Sequence, residues 1–156
     1  MYKTIFAVLL LAAVSNAQLI GWRNCGSPLA TVHRIRVGGC SSTPCSFPAG
    51  QIVPIEVDAT ALANSVNLPF AMTASFLGIP IPLLEGNACN HFTLGTCPAL
   101  AGNNFTFRIE YRVTDAIPAG VPTVVTSTMW NDFGDIAVCI QVDAIVTAAR
   151  NEITAE

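Results

Sequence analysis

The stretch FTFRIEYRV, Phe105 to Val113, alternates apolar and polar side chains without a break. Phe105, Phe107, Ile109, Tyr111 and Val113 fall on one side, and Thr106, Arg108, Glu110 and Arg112 on the other. Successive side chains of a strand point to opposite faces, so this pattern predicts a half-buried antiparallel strand. Working outward, Val53, Ile55 and Val57 alternate with Pro54, Glu56 and Asp58, and Leu68, Phe70, Met72, Ala74 and Phe76 form another apolar face. Ile35 and Val37 stand opposite Arg34 and Arg36, Val121 to Trp130 is rich in valine and threonine, and Ile136 to Val146 alternates again. Gly38-Gly39, Pro48-Ala49-Gly50, Gly86-Asn87, Ala101-Gly102-Asn103 and Asn131-Asp132-Phe133-Gly134 supply turn residues between these runs. Ten prolines and the lack of sustained helical periodicity argue against long helices. Short strands separated by turn signals predict a β-sandwich or barrel.

The inward faces are richly apolar. Hydrophobic residues make up 52% of the chain and charged residues 11%, against about 25% charged in ordinary soluble domains. Such a domain hides much apolar surface or offers it to a ligand, which makes Phe70, Phe76, Phe105, Phe107 and Tyr111 candidates for the wall of an apolar cavity. Net charge is −3, and beyond Lys3 every basic residue is an arginine: Arg23, Arg34, Arg36, Arg108, Arg112 and Arg150. No basic cluster suits phosphate contacts, so nucleic acid is not an expected partner.

Lys3, the apolar run Ile5 to Val14 and the small residues Ser15-Asn16-Ala17 have the layout of a cleavable secretory signal, with cutting after Ala17. The run is too short to span a membrane. Residues 18–156 then form one domain, expected outside the cell or in a lumenal compartment, the lysosome included. Six cysteines follow, Cys25, Cys40, Cys45, Cys89, Cys97 and Cys139. In that compartment they are expected as disulfides, not metal ligands. Cys40/Cys45 and Cys89/Cys97 are near enough to close small loops, leaving Cys25 and Cys139, although spacing by itself leaves fifteen connectivities open.

Chemistry-bearing motifs are absent. There is no Gly-x-Ser-x-Gly elbow, no His-Glu-x-x-His and no phosphate-binding glycine loop. His33, on a strand, and His91, in the Cys89/Cys97 loop, read as structural or solvated. Asn131, Asp132 and Asp135 suit a hairpin turn better than a calcium site. An enzyme is not expected, nor a metal or other cofactor. Asn104-Phe105-Thr106 is a glycosylation sequon, so Asn104 is a candidate glycan site.

Further motifs recur in order along the chain. They are Asn24-Cys25-Gly26-Ser27, Cys40…Pro44-Cys45 followed by Gly50, Gly78-Ile79-Pro80-Ile81-Pro82, Asn87…Cys89, Cys97-Pro98 followed by Gly102, and Cys139 on the last strand. In these the chain resembles the ML (lipid-recognition) domain family, which includes the soluble Niemann–Pick type C sterol carrier and group-two mite allergens. The resemblance covers essentially all of the chain after the signal. It implies an all-β, immunoglobulin-like two-sheet β-sandwich with an apolar cavity between the sheets, and the pairings Cys25–Cys139, Cys40–Cys45 and Cys89–Cys97. It also implies a ligand that is bound and not transformed, with Leu83, Val113 and Ile117 at the mouth of the pocket. The sterol carrier has aromatic residues where this chain has Leu83 and Ile117. Aliphatic walls adapt to varied shapes, so a fatty acid or a hydrocarbon-like semiochemical stands beside a sterol as the expected ligand. The expected protein is a monomeric carrier that hands lipid to an acceptor membrane or receptor. The rival reading is innate-immune recognition, in which the lipid is presented to a receptor.

Overall fold

The computed structural model describes residues 20–150, so the signal expected at 1–17 and the end of the polar tail lie outside the described residues. The chain runs through β1 (Arg23–Asn24), β2 (Ala30–Val37), β3 (Cys45–Pro48), β4 (Ile52–Ala61), β5 (Pro69–Phe76) and β6 (Ile79–Asn87). A single 3-10 turn at Ala88–His91 leads into β7 (Phe92–Leu94), β8 (Asn104–Arg112), β9 (Pro122–Trp130) and β10 (Ile136–Thr147). One sheet has the order β2-β4-β8-β7, and the other the order β1-β10-β9-β5-β6, with β3 added beside β10. All pairings are antiparallel except β3 with β10, where Cys45 stands opposite Ala144 and Phe47 opposite Val146. The two-sheet sandwich is therefore as the alternation and the resemblance imply.

Two strands have instructive prolines. Pro80 and Pro82, in a segment that the alternation did not mark as a strand, sit inside β6. β6 is the outer strand of its sheet, where a missing N–H leaves no ladder bond unmade. Pro54 sits inside β4, a central strand, but beyond the last residue of β2, Val37, which pairs with Ile55. Its carbonyl accepts from the Gly38 N–H at 2.8 Å, and its ring packs so closely on Gly38 that a Cβ there would lie 2.5 Å from Pro54 Cγ.

The outer face of the four-stranded sheet is an ion-pair ladder rather than a merely solvated surface. On β4, Glu56 lies between arginines of both neighbours and Asp58 beside two from β2: Arg36 Nε donates to Glu56 at 2.8 Å, Arg34 Nε to Asp58 at 2.9 Å, and Arg108 Nη1 to Glu56 at 3.1 Å. Thr106, placed by the alternation on the solvent side of β8, is buried because its hydroxyl donates to Asp58 at 2.8 Å.

The inward faces form two apolar clusters. The larger gathers Phe70, Phe105, Phe107, Met129 and Val138, and the smaller gathers Phe47, Val53, Ala74, Val113, Ile117 and Val146. Three disulfides close the structure: Cys25–Cys139 joins β1 to β10, Cys40–Cys45 anchors the start of β3, and Cys89–Cys97 ties the 3-10 turn to the segment before β8. In the β9–β10 turn the Asn131 carboxamide oxygen accepts from the N–H groups of Phe133 and Asp135, while the Asp132 carboxylate accepts from Val66 N and Asn67 N. Asn131 thus closes the turn, and Asp132 ties it to the segment before β5.

Candidate functional site

The two clusters differ in how completely they fill the space between the sheets. In the larger, aromatic rings do the filling. Phe70 meets Phe107 edge to face at 5.0 Å, and Phe92 stacks on Phe105 at 4.9 Å. Around the smaller, the inward positions carry mostly short aliphatic side chains, which do not reach across the gap. Val53, Ile55 and Tyr111 from the four-stranded sheet face Met72, Leu83, Val125, Ser127 and Val142 from the other, around a cavity of about 90 Å³. Phe47 of β3 and the Val113–Ile117 segment complete its wall.

No charged side chain lines this cavity, and its polar side chains are few: Thr114, Thr123, Ser127 and the Tyr111 phenol. Burial pushes the Tyr111 phenol up from its ordinary pKa, against a smaller opposing effect of the Thr114 backbone, so it remains neutral at physiological pH. Outside lies an open vestibule of about 530 Å³, walled by Ala49, Gly50, Pro82, Arg112, Asp115 and Ala149 among others. Leu83, Tyr111, Val113 and Thr114 line both spaces and mark where the two adjoin, the place for a passage between them. Water-poor, uncharged walls with a polar threshold suit non-covalent capture of an apolar molecule. Pockets for small molecules are commonly about 300–1,000 Å³, so a ligand of that size has to part the sheets or widen the mouth.

The structure divides the residues singled out from the sequence. Leu83, Tyr111, Val113 and Ile117 line the cavity. Phe70, Phe105 and Phe107 do not: they are 3%, 4% and 1% exposed in the tightly packed cluster, where their rings close the sandwich. Phe76, half-buried at the end of β5, belongs to neither wall. Alternation along a strand tells which face a residue occupies, but Phe107 and Tyr111 share a face of β8 and serve different ends of the sandwich. Reasoning from the sequence missed Phe47, Val125, Ser127, Val142 and Val146. Their signal was the inward set on β9 and β10 near the ends that pair with each other, Val125 opposite Val142 and Thr123 opposite Ala144.

Neither histidine reaches the cavity. His33 Nε2 lies 2.6 Å from Thr60 Oγ1 on the outside of β2, and the His91 ring stands edge-on to Phe70 and Phe107 at 5.9 and 6.0 Å. Among the described residues no group of His, Cys, Asp and Glu is placed to hold a metal ion, and no helix is long and apolar enough to cross a membrane.

Comparison with known proteins agrees with this architecture. The family model for the ML domain matches residues 20–146. Mite group 2 allergen Eur m 2 of Euroglyphus maynei is 28% identical over 147 residues, covering 92% of this chain and 97% of the allergen. NPC intracellular cholesterol transporter 2 of Bos taurus is 23% identical over 145 residues, covering 92% of this chain and 95% of the transporter. Among solved structures, a Niemann-Pick type C2 protein from Japanese carpenter ant superposes with a TM-score of 0.72 at 17% identity, covering 81% of this chain and 99% of the ant protein.

Proposed function

The chain belongs to the ML domain family, a family of non-enzymatic lipid-recognition proteins, and on that premise we propose that it is a secreted lipid carrier. It holds a sterol, a fatty acid or another small apolar ligand between its two sheets, in the cavity bounded by Leu83, Tyr111, Val113, Ile117, Val125 and Val142. The observation that carries this reading is the uncharged gap between the sheets, adjoining an open vestibule with which it shares Leu83, Tyr111, Val113 and Thr114. Apolar burial supplies the affinity, at roughly 25 cal/mol per Å² before the costs of association are subtracted. The N-terminal 1–17 is removed on export. Three disulfides suit an oxidising, extracellular or lumenal destination. Acceptor membranes receive the ligand, and the exposed Leu77 and Ile79 at the β5–β6 turn give the carrier an apolar surface for that contact.

Asn104 carries an N-linked glycan in this reading. It is exposed at the start of β8, with its carboxamide oxygen 2.6 Å from Thr60 Oγ1. Loss of mass on glycosidase treatment of secreted protein is the expected result.

The carrier reading is tested by native mass spectrometry of protein secreted from eukaryotic cells, followed by organic extraction of what co-purifies. A stoichiometric lipid is expected. Protein that is empty and also refuses added sterol and fatty acid would overturn the reading.

A further inference from the structure

Four of the arginines in the described residues are committed to carboxylates: Arg23 to Asp143, Arg34 to Asp58, Arg36 to Glu56 and Asp58, and Arg108 to Glu56 and Glu110. Arg112 is not. Its one hydrogen bond to another residue runs from Nη1 to the Gly50 carbonyl oxygen at 2.9 Å, and no carboxylate among the described residues lies within 4.0 Å of it. It stands in the wall of the vestibule, between Tyr111 and Val113, both of which also line the inner cavity. A guanidinium has five N–H donors in a fixed fork that matches a carboxylate, so among the described residues most of this group's capacity is unspent, beside the vestibule that adjoins the cavity. Asp115 shares the vestibule without pairing to Arg112, and its charge sets a limit on what the site accepts. One negative charge is neutralised by Arg112, whereas the second charge of a phosphate would be left unpaired in a vestibule that also holds Asp115.

We propose that Arg112 selects amphiphiles with a single carboxylate head, holding that head in the vestibule while the hydrocarbon chain occupies the cavity. The proposal rests on the carrier reading and narrows its ligand class to long-chain carboxylic acids. It makes Arg112 a specificity-determining residue. Tyr111 and Val113, its neighbours on the strand, guide the chain inward.

The test compares hexadecanoic acid with hexadecan-1-ol, the same chain with a neutral head, by calorimetric titration at pH 8 into intact secreted protein stripped of lipid. A charge-assisted pair at an exposed arginine predicts that the acid binds up to about fivefold more tightly than the alcohol, and that added salt erodes the difference. Arg112→Met should bring the acid down to the level of the alcohol and leave alcohol binding unchanged, while Arg112→Lys keeps part of the preference. Equal binding of acid and alcohol by the wild type overturns the proposal and leaves the carrier reading standing. So does a Met variant that still prefers the acid, or one that loses both ligands alike, which would assign Arg112 to the Gly50 contact alone. Failure of the wild type to bind either compound also overturns the proposal, and a cholesterol titration of the same protein then decides whether the carrier reading stands. Should the Met variant not fold, the Lys variant and the salt dependence of the wild type decide between the same outcomes.

Discussion

Phe70 on β5 and Phe107 on β8 meet edge to face across the two sheets, ring centroids 5.0 Å apart, and this contact pins one end of the sandwich shut. His91 covers both rings from outside. Phe107 is therefore a residue of stability, and Phe107→Ala should cost about 3–5 kcal/mol. Urea denaturation checks the loss. Ligand uptake per folded molecule should stay at the wild-type level, and a variant of normal stability with impaired uptake would move Phe107 back to the cavity wall.

Val125 packs against the ring-filled cluster and also stands in the wall of the gap. Val125→Phe should fill space that a ligand needs, abolishing uptake of a fluorescent fatty acid while changing stability by no more than about 1–2 kcal/mol. Val113→Trp, at the passage, should slow uptake. If both proteins take up the probe like the wild type, the ligand resides elsewhere.

The ladder on the four-stranded sheet makes stability depend on pH. Glu56 is held below the usual carboxylate range chiefly because Arg36 donates to it, aided by Arg108. For Asp58, burial works in the opposite direction, but the Thr106 hydroxyl with Arg34 and Arg36 outweighs it, and the net shift is again downward. A depressed folded pKa contributes stability that is fully present above the unfolded value and is lost as pH falls through the folded one. The thermal midpoint should thus fall steeply below about pH 4. Asp58→Asn should lower stability at neutral pH by about 1 kcal/mol and flatten the acid limb. Parallel curves for the two proteins down to pH 3 would show that Asp58 has no part in the acid response.

Cys25 and Cys139 are 114 residues apart, against five for Cys40 and Cys45. On the chain-entropy account the long bridge matters most, so replacing both its cysteines by serine should cost about 4–5 kcal/mol in denaturant titrations. Removing Cys40–Cys45 should cost less stability yet disturb ligand uptake, because Cys45 lines the cavity and starts β3. The reverse ranking in both assays would refute this division of labour.

Much of the fold was legible in local pattern. The alternation in FTFRIEYRV, and its weaker counterparts in β2, β4, β5, β9 and β10, marks strands because the pleat imposes a period of two. β6 was hidden for a physical reason: Pro80 and Pro82 are compatible with a strand only at an edge, and edge position is a property of the assembled sheet. The site was legible by face and not by depth. Tyr111 and Phe107 read alike along β8, and only the facing sheet distinguishes them, with short side chains such as Val125 and Ser127 opposite one and the Phe70 ring against the other. Arg112 read as an ordinary solvent-side residue, because its lack of a carboxylate partner depends on where Glu56, Glu110 and Asp115 fall in three dimensions.

On the carrier reading, the ring-filled end also gives ligand exchange a direction. With Phe70 and Phe107 blocking the far side, whatever enters past Leu83 and Tyr111 has to depart by the same door, and in the reverse order. The part of the cargo that went in last is then the first to meet an acceptor. Delivery would then be loading run in reverse, with the same passage parting in both directions.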